Sequence, residues 1–344
     1  MKITHLIFSF NTGGAETMLV DIVNEQILKA DVSIIIINNN YNQALLNKID
    51  KRIKVFFTNR SERSKNPLPI IKLNILLFKL NSDVLHCHNH NIAPLLFYNF
   101  RKKMNLTVHD VNVETKYFKL YNKLFAISKI VKSDIYKNSN MNAILVYNGI
   151  CTKLVQQKTN FNIGKSFKII IVSRLRHEKK GQHIAIEALK SLKKKGITNI
   201  KLDLIGEGPS ELYLKKLVEE NGLNNDINFI GLKDKNYIYN HLKDYELLIQ
   251  PSFYEGFGLT VLEGMVAKVP VLVSNIDGPM EIIDYGEYGY SFEVGNAENL
   301  ADQIKNIQLN YTQQEFKKKV QDAYQIVKLD FDISKTASEY LRLY

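Results

Sequence analysis

The sequence predicts an α/β protein built from two similar units. Short apolar runs, such as residues 2–8 and Phe167–Val172, are typical of buried strands, and each leads through a turn into a segment with helical spacing of apolar residues. The chain has 344 residues, which is enough for two ordinary domains. Residues 151–166 are polar and show no strong periodicity, so they predict a linker. We therefore expect a first domain over residues 1–155 and a second over residues 165–328.

The composition is that of a globular protein, with 45% hydrophobic and 24% charged residues. Two cysteines cannot form a disulfide framework, and no apolar run is long enough to cross a membrane, so we expect a cytoplasmic protein. The net charge of +11 comes from the first half, where residues 1–160 hold 22 Lys and Arg against 10 Asp and Glu. This excess of basic residues in the first half predicts a partner with an anionic surface. A lysine-rich surface that is only solvated explains the excess equally well.

The first domain begins with the strand at 2–8, followed by a turn at Gly13-Gly14 and an amphipathic helix over 16–28. A glycine turn after the first strand of an α/β sheet lies at the edge where ligands bind, but without a third glycine it is a weak dinucleotide signal. The segment 67–80, PLPIIKLNILLFKL, predicts a helix. It either lies on a membrane surface or is an ordinary domain helix with snorkelling lysines, and we favour the ordinary helix.

Histidines follow two strands of this domain. The strand at 83–86 ends in His86-Cys87-His88-Asn89-His90, and alternate residues of an extended chain point the same way, so these three histidines could share a metal ion. No nearby carboxylate or further cysteine completes a ligand set, and histidines at the carboxyl end of a strand explain the pattern as well. We predict no metal site. His109 follows the strand at 106–108.

The second domain repeats the pattern and concentrates charged residues and glycines at its turns. A strand ending at Val172 is followed by Arg174, then by Lys179-Lys180-Gly181 and a helix over 182–192. The later turns hold Gly206-Glu207-Gly208-Pro209 and Gly231; the first lacks the third glycine of a dinucleotide fingerprint.

The stretch 251–264, PSFYEGFGLTVLEG, is the most informative part of the chain. A strand over 245–249 precedes it, and a helix is predicted over Leu259–Val266. At the start of that helix the N–H groups of Phe257, Gly258, Leu259 and Thr260 can donate to a phosphate. Carboxylates on either side, Glu255 and Glu263, can accept hydrogen bonds from sugar hydroxyls. This pattern suggests a nucleotide-sugar ligand.

The pair Glu255-x7-Glu263 within PSxxEGFGLxxLEGM resembles the signature of retaining glycosyltransferases of the GT4 type (group 1). The resemblance is strong over residues 167–283 and looser over 1–150. It implies the GT-B fold, in which two Rossmann-like domains face each other across a cleft, with a terminal helix (329–344) crossing back to the first domain. It also implies that Glu263 holds the ribose and Glu255 the transferred sugar.

The same resemblance gives roles to the other candidate residues. Arg174 and Lys180 match the basic pair that neutralises the pyrophosphate together with the backbone amides of 257–260, and Lys179 remains a competitor for Lys180. His109 matches a histidine that touches the transferred sugar. The remaining candidates are glycines that border the donor: Gly13, Gly14, Gly206 and Gly231.

The resemblance implies transfer of a hexose or N-acetylhexosamine from a nucleotide sugar, with a UDP-sugar preferred, to a glycan or lipid-diphosphate-linked acceptor in surface polysaccharide assembly. No cofactor and no metal are expected, because no DxD-like motif stands in a matching position. The basic first domain adds an expected peripheral attachment to the anionic inner face of the cell membrane. Alternatives are a GT-B relative such as a sugar-nucleotide epimerase, and a non-enzymatic polyanion-binding protein; nucleic acid is not an expected partner because the basic residues are scattered.

Overall fold

The computed structural model describes residues 1–11 and 13–344, and Thr12 lies outside the described part. The chain divides into two compact units. The first unit contains Met1–Ile150 together with Phe331–Tyr344, and the second contains Cys151–Asp330.

The first unit is built on a seven-stranded parallel sheet with the order β3-β2-β1-β4-β5-β6-β7. The order reverses between β1 and β4, and in such sheets ligands bind at the carboxyl ends of the strands next to the reversal. The strands are β1 (Lys2–Ile7), β2 (Asp31–Asn38), β3 (Lys54–Arg60), β4 (Val84–Cys87), β5 (Met104–Val108), β6 (Lys123–Ala126) and β7 (Ile144–Leu145).

Helices of the first unit follow their strands as the apolar spacing predicts. Ser128 caps one of them by accepting a hydrogen bond from the Val131 N–H at 3.2 Å. The helices are α1 (Gly14–Gln26), α2 (Gln43–Leu46), α3 (Leu68–Leu80) and α4 (Lys129–Ser139).

The second unit has a six-stranded parallel sheet with the order β10-β9-β8-β11-β12-β13. Its strands read as short apolar runs because both faces of the sheet are covered by helices. The strands are β8 (Phe167–Val172), β9 (Ile200–Ile205), β10 (Ile227–Gly231), β11 (Leu247–Gln250), β12 (Val271–Ser274) and β13 (Tyr290–Phe292).

Eight helices of the second unit surround this sheet among the described residues. They are α5 (His177–Lys180), α6 (Gln182–Lys194), α7 (Glu211–Glu220), α8 (Lys235–His241), α9 (Leu259–Val266), α10 (Asp277–Ile282), α11 (Ala297–Asn310) and α12 (Gln314–Asp330). The sequence predicted α9 with its exact bounds, but it missed α7 and the single turn α5.

The chain ends in α13 (Ile333–Leu343), which packs within the first unit. Its entry is fixed by backbone hydrogen bonds from the Ile150 N–H to Phe331 and from the Ile333 N–H to Ile150, both at 2.9 Å. The Tyr340 hydroxyl lies 3.0 Å from the hydroxyl of Thr107 at β5. Residues at the end of the chain thus contribute to the same unit as the first strands.

Candidate active site

The loop between β11 and α9 is the centre of the candidate site in the second unit. Gly258 is the N-cap of α9 and has a φ of +122°, a conformation that favours glycine. A Cβ on Gly258 would lie 3.0 Å from Oε1 of Gln250. The amides of Leu259 and Thr260 belong to the first helical turn, where N–H groups have no partner within the helix. Two of the four predicted donor amides thus lie at the start of the helix, and the anion site itself stays a prediction. The side chain of Phe257 is buried, with 3% exposed.

Glu255 in this loop forms an ion pair with Lys180, with Oε2 and Nζ 2.6 Å apart. Both side chains are partly buried, with 17% and 19% exposed. The next residue, Gly181, has a φ of +67°, and a Cβ there would lie only 1.9 Å from the carbonyl oxygen of Pro251. The end of α5 is thus seated directly on the loop, and this contact requires a glycine after the lysine.

Lys179 lies in a different environment from Lys180. Its Nζ stands 4.6 Å from the centre of the Tyr254 ring, and its carbonyl accepts a hydrogen bond from the Phe253 N–H at 2.9 Å. Of the two lysines, Lys180 is therefore the one paired with the candidate sugar-binding carboxylate. This geometry favours Lys180 as the functional residue.

The turn that carries Arg174 is held by Gln182, a residue that the sequence interpretation did not single out. The Gln182 side chain is fully buried and donates from Nε2 to the Ser173 hydroxyl at 2.8 Å and to the Arg174 carbonyl at 2.9 Å. Since Lys180, Gly181 and Gln182 are consecutive, one short segment connects the arginine turn to the Glu255 loop. The sequence did contain one indication of Gln182, namely that it is a polar residue in the first turn of a predicted amphipathic helix.

Gly206 and Gly231 lie next to the same turn. The Gly206 N–H donates to the Gly231 carbonyl at 3.0 Å. Gly206 has a φ of +137°, and a Cβ there would lie 2.0 Å from the carbonyl oxygen of Ser173. The carboxyl ends of β8, β9 and β10 therefore meet at one edge of the sheet, as predicted for a ligand site of this fold class.

We expect Gly206→Ala to destabilise the protein more than an equivalent change at a glycine with free space. Gly222→Ala is the matched control, because its φ of +62° is also unfavourable for alanine but a Cβ there would meet no neighbouring atom within 4 Å. The control should cost about 1 kcal/mol of unfolding free energy, and Gly206→Ala about 1–2 kcal/mol more, since it also displaces the Ser173 backbone. Urea denaturation measures both values, and equal losses would show that the close approach to Ser173 is not a constraint.

Glu263 lies within α9 and is partly exposed. The helix that carries it packs tightly on the sheet, since a Cβ at Gly264 would lie 2.8 Å from Cγ1 of Val271. The Glu255 loop is further enclosed by the start of α10, where a Cβ at Gly278 would lie 2.8 Å from the Glu255 carbonyl oxygen. Both candidate carboxylates therefore project from rigidly packed backbone.

The first unit carries its own cluster at the carboxyl ends of β1, β4 and β5. His109 follows β5, and its Nε2 lies 3.1 Å from Nδ1 of His88. Nε2 of His88 lies 3.0 Å from Nδ1 of His5, and Nε2 of His5 lies 2.8 Å from Oε1 of Gln26 on α1. Because an amide oxygen only accepts, this chain assigns the proton of each neutral ring to Nε2. Nδ1 of His109 is then left as an acceptor.

Burial keeps these histidines neutral. It lowers the pKa of His5 and of His109 to about 4, and it places the pKa of His86 and His88 well below the ordinary range. A neutral His109 offers a lone pair to a hydroxyl group without carrying charge. His5 and Gln26 were not among the sequence candidates, since nothing in the local pattern marks them.

The histidines are not arranged as the alternation along the strand suggested. His90 lies apart, with Nε2 3.7 Å from a carboxylate oxygen of Glu114, and His5 from β1 takes its place beside His86 and His88. Nitrogen atoms of these three side chains lie within 4.8 Å of one another. However, the rings of His86 and His88 are stacked, with planes 8° apart and centroids 4.7 Å apart. Stacked rings do not direct their in-plane lone pairs to one point, so the geometry favours a hydrogen-bonded network over a metal site.

The glycine turn after β1 leads into α1. Gly13 is the N-cap residue and Gly14 the first residue of the helix. A Cβ at Gly13 would lie 2.4 Å from Oε2 of Glu16, so this carboxylate lies directly over the turn. Burial raises the pKa of Glu16. Both glycines lie at the carboxyl end of β1, where a ligand site is predicted. Glu16 is an acidic neighbour that the sequence interpretation did not select.

Comparison with known proteins identifies the family of the second unit. Residues 155–323 match the family model described as glycosyl transferases group 1, so the second unit is a group 1 glycosyltransferase domain, as the resemblance predicted.

Two solved structures share the fold over the whole chain. A glycosyltransferase from Rickettsia africae covers 100% of this chain and 97% of its own with a TM-score of 0.82 and 22% identity. Anabaena HepE in complex with UDP-glucose covers 100% of both chains with a TM-score of 0.82 and 20% identity. The predicted α/β GT-B fold is confirmed.

The curated relatives match different shares of this chain. N-acetyl-alpha-D-glucosaminyl L-malate synthase of Bacillus anthracis is 30% identical over 194 residues, which cover 56% of this chain and 49% of that protein. The match to this relative therefore spans about half of its length. A longer match is the Campylobacter jejuni N-acetylgalactosamine-N,N'-diacetylbacillosaminyl-diphospho-undecaprenol 4-alpha-N-acetylgalactosaminyltransferase, 24% identical over 89% of this chain and 90% of that protein.

Proposed function

We propose that the protein transfers a hexose or N-acetylhexosamine from a nucleotide sugar to a hydroxyl group of a glycan or lipid-diphosphate-linked glycan. The observation that carries the proposal is the Lys180–Glu255 ion pair beside the N-terminus of α9, within a group 1 glycosyltransferase domain. A UDP-sugar is the preferred donor, and Anabaena HepE, with the same fold, was crystallised with UDP-glucose. The name of the Campylobacter jejuni relative specifies a diphospho-undecaprenol acceptor, which supports an acceptor of that class.

In the proposed reaction the bond between the anomeric carbon and the leaving phosphate oxygen breaks as the bond to the acceptor oxygen forms on the same face of the sugar. The proton of the acceptor hydroxyl passes to the leaving phosphate, so no covalent protein intermediate is required. The amides at the start of α9, Arg174 and Lys180 stabilise the charge that develops on the diphosphate. Glu263 holds the ribose and Glu255 the transferred sugar. We propose that two protein cations make a metal ion unnecessary and that the configuration is retained.

The proposed setting is bacterial-type surface polysaccharide assembly, with the protein in the cytoplasm and peripheral on the inner face of the membrane. A lipid-diphosphate acceptor lies in that membrane, so the protein must reach its surface. The uneven charge supports this setting, because the excess of Lys and Arg lies within residues 1–160.

Donor binding tests the proposal directly. A thermal-shift panel with UDP, GDP, ADP, dTDP and their sugar conjugates, each with magnesium and with EDTA, should show stabilisation by one nucleotide whether or not magnesium is present. At about 100 times the dissociation constant the expected gain is about 2.7 kcal/mol. No shift with any nucleotide, in folded protein, would contradict the proposed donor class.

Glu263→Gln should weaken binding of the selected nucleotide about tenfold, because a carboxylate that accepts ribose hydroxyl bonds contributes about 1.5 kcal/mol. Glu219→Gln is the control, since Glu219 is an exposed residue of α7. Calorimetric titration of both variants decides the assignment. An unchanged affinity in Glu263→Gln would remove Glu263 from the ribose site.

A further inference from the structure

Helix α3 exposes an apolar stripe to solvent. Leu68, Ile71, Ile75 and Phe78 follow the i, i+3, i+7, i+10 spacing of one helix face, and their exposed fractions are 65%, 45%, 49% and 53%. The opposite face supplies the buried residues of the helix, which are Leu73, Asn74 and Leu77. A single exposed leucine needs no explanation, but an aligned row of four large apolar side chains marks an interaction surface.

Two further aromatic residues extend the stripe. Phe97 and Tyr98 are 51% and 74% exposed, and the Phe97 ring lies 6.2 Å from that of Phe78. The buried side chain of Asn74 fixes this segment against the helix. It donates from Nδ2 to the Leu95 carbonyl at 2.9 Å and accepts from the Phe97 N–H at 2.8 Å. The aromatic pair is therefore held in place beside the stripe.

The residues around the stripe are cationic. Between Glu62 and Asp110 the chain holds seven Lys and Arg and one acidic residue, Asp83. Five of the seven basic residues are exposed: Arg63, Lys65, Lys72, Lys102 and, in the last turn of α3, Lys79. The guanidinium of Arg101 stacks on Tyr98 at 4.7 Å from the ring centre. Lysines beside exposed apolar side chains can place their stems against hydrocarbon and their charges at lipid headgroups.

We propose that this α3 surface, formed by Leu68, Ile71, Ile75, Phe78, Phe97 and Tyr98 with the flanking Lys65, Lys72, Lys79 and Lys102, docks on an anionic lipid bilayer. Its charge selects this partner. A second copy of the chain would bring an equally basic surface against it, whereas anionic headgroups neutralise the lysines and the acyl region accepts the apolar stripe. No helix among the described residues is both long and apolar enough to cross a membrane, so the contact is one of surface docking. This inference depends on the proposed function in one respect, which is that the bilayer holds the lipid-linked acceptor.

Co-sedimentation with vesicles tests the surface. The protein should bind vesicles of phosphatidylglycerol and phosphatidylcholine at low salt and lose most of this binding on pure phosphatidylcholine. The double variant Ile71→Gln, Ile75→Gln should lower the partition coefficient at least tenfold. The double variant Leu309→Gln, Leu329→Gln removes two leucines of the second unit that are each 68% exposed, and it should bind like the unchanged protein.

The charge contribution has its own pair of variants. Lys72→Gln with Lys79→Gln should weaken binding roughly 25-fold, since each lysine near an anionic surface contributes about a factor of five. Lys132→Gln with Lys137→Gln makes the same change of charge at exposed positions of α4 and should have a smaller effect. Equal losses in the two pairs would show that net charge, and not the α3 surface, attracts the protein.

Two outcomes would overturn the proposal outright. One is the absence of binding to anionic vesicles. The other is a protein that is dimeric in solution and becomes monomeric in Ile71→Gln, Ile75→Gln without any vesicle binding, which would make the stripe a contact between copies. The nucleotide thermal shift of the same preparations separates this inference from the proposed function. Lost vesicle binding with an intact shift removes only the α3 surface, and a missing shift with intact vesicle binding removes only the proposed donor.

Discussion

Lys180→Met should lower the turnover number about 10²–10³-fold while leaving donor affinity much less affected. The ammonium of Lys180 lies 2.6 Å from Glu255 beside the N-terminus of α9, in a partly buried position. We expect it to stabilise charge that develops on the diphosphate only as the sugar leaves, and removing one such preorganised donor typically costs about 2.7–4 kcal/mol of activation free energy. An interaction that strengthens in the transition state affects turnover more than binding.

Lys179→Met is the control for this experiment. The two lysines are adjacent and equally charged, but the Lys179 ammonium stands over the Tyr254 ring, whereas the Lys180 ammonium pairs with Glu255. Its loss should therefore change turnover less than tenfold. Release of UDP, or of whichever nucleotide the thermal-shift panel selects, measures the rate in both variants. A larger loss in Lys179→Met would reverse the assignment, and two unaffected variants would remove the diphosphate role from this turn.

Much of the fold could be predicted from local patterns. The helix α9 was predicted with exact bounds, because the glycine before it and the apolar spacing within it are both local features of the sequence. The choice between Lys179 and Lys180 is different in kind. It depends on Gly181 lying so close to Pro251 that a Cβ there would come within 1.9 Å of the Pro251 carbonyl oxygen, a contact across 70 residues of chain that no local pattern contains.

The histidine network shows the same limit. His5, Gln26, His88 and His109 come from four separate segments, and only the order of the strands β1, β4 and β5 brings them together. Alternation along one strand correctly indicated that His86 and His88 are neighbours, but it selected His90 as the third member where the fold supplies His5. Likewise the apolar composition of α3 could not show which of its faces would remain exposed.

Acidification should destabilise the first unit through these histidines, and His5 gives the clearest case. Burial lowers its pKa to about 4 in the folded protein, against an ordinary value of 6.5. Between these values the unfolded chain binds a proton that the folded protein does not, so the free energy of unfolding falls as the pH falls. Above pH 6.5 neither the folded nor the unfolded state binds this proton, and below about pH 4 both states bind it. The full loss from His5 is roughly 3 kcal/mol at 1.36 kcal/mol per pKa unit.

Amide hydrogen exchange of β1 and β4 between pH 7 and pH 5, corrected for intrinsic rates, measures the part of this loss that falls in that range. His5→Gln removes the titrating group, so it should lower stability at neutral pH yet reduce the pH slope by up to about 1.4 kcal/mol per pH unit. An unaltered slope in His5→Gln would mean that His5 binds its proton in the folded state, with rearrangement of the chain from Gln26 to His109. Because that chain sets which nitrogen of His109 carries a proton, the same measurement tests whether His109 is presented as a neutral acceptor.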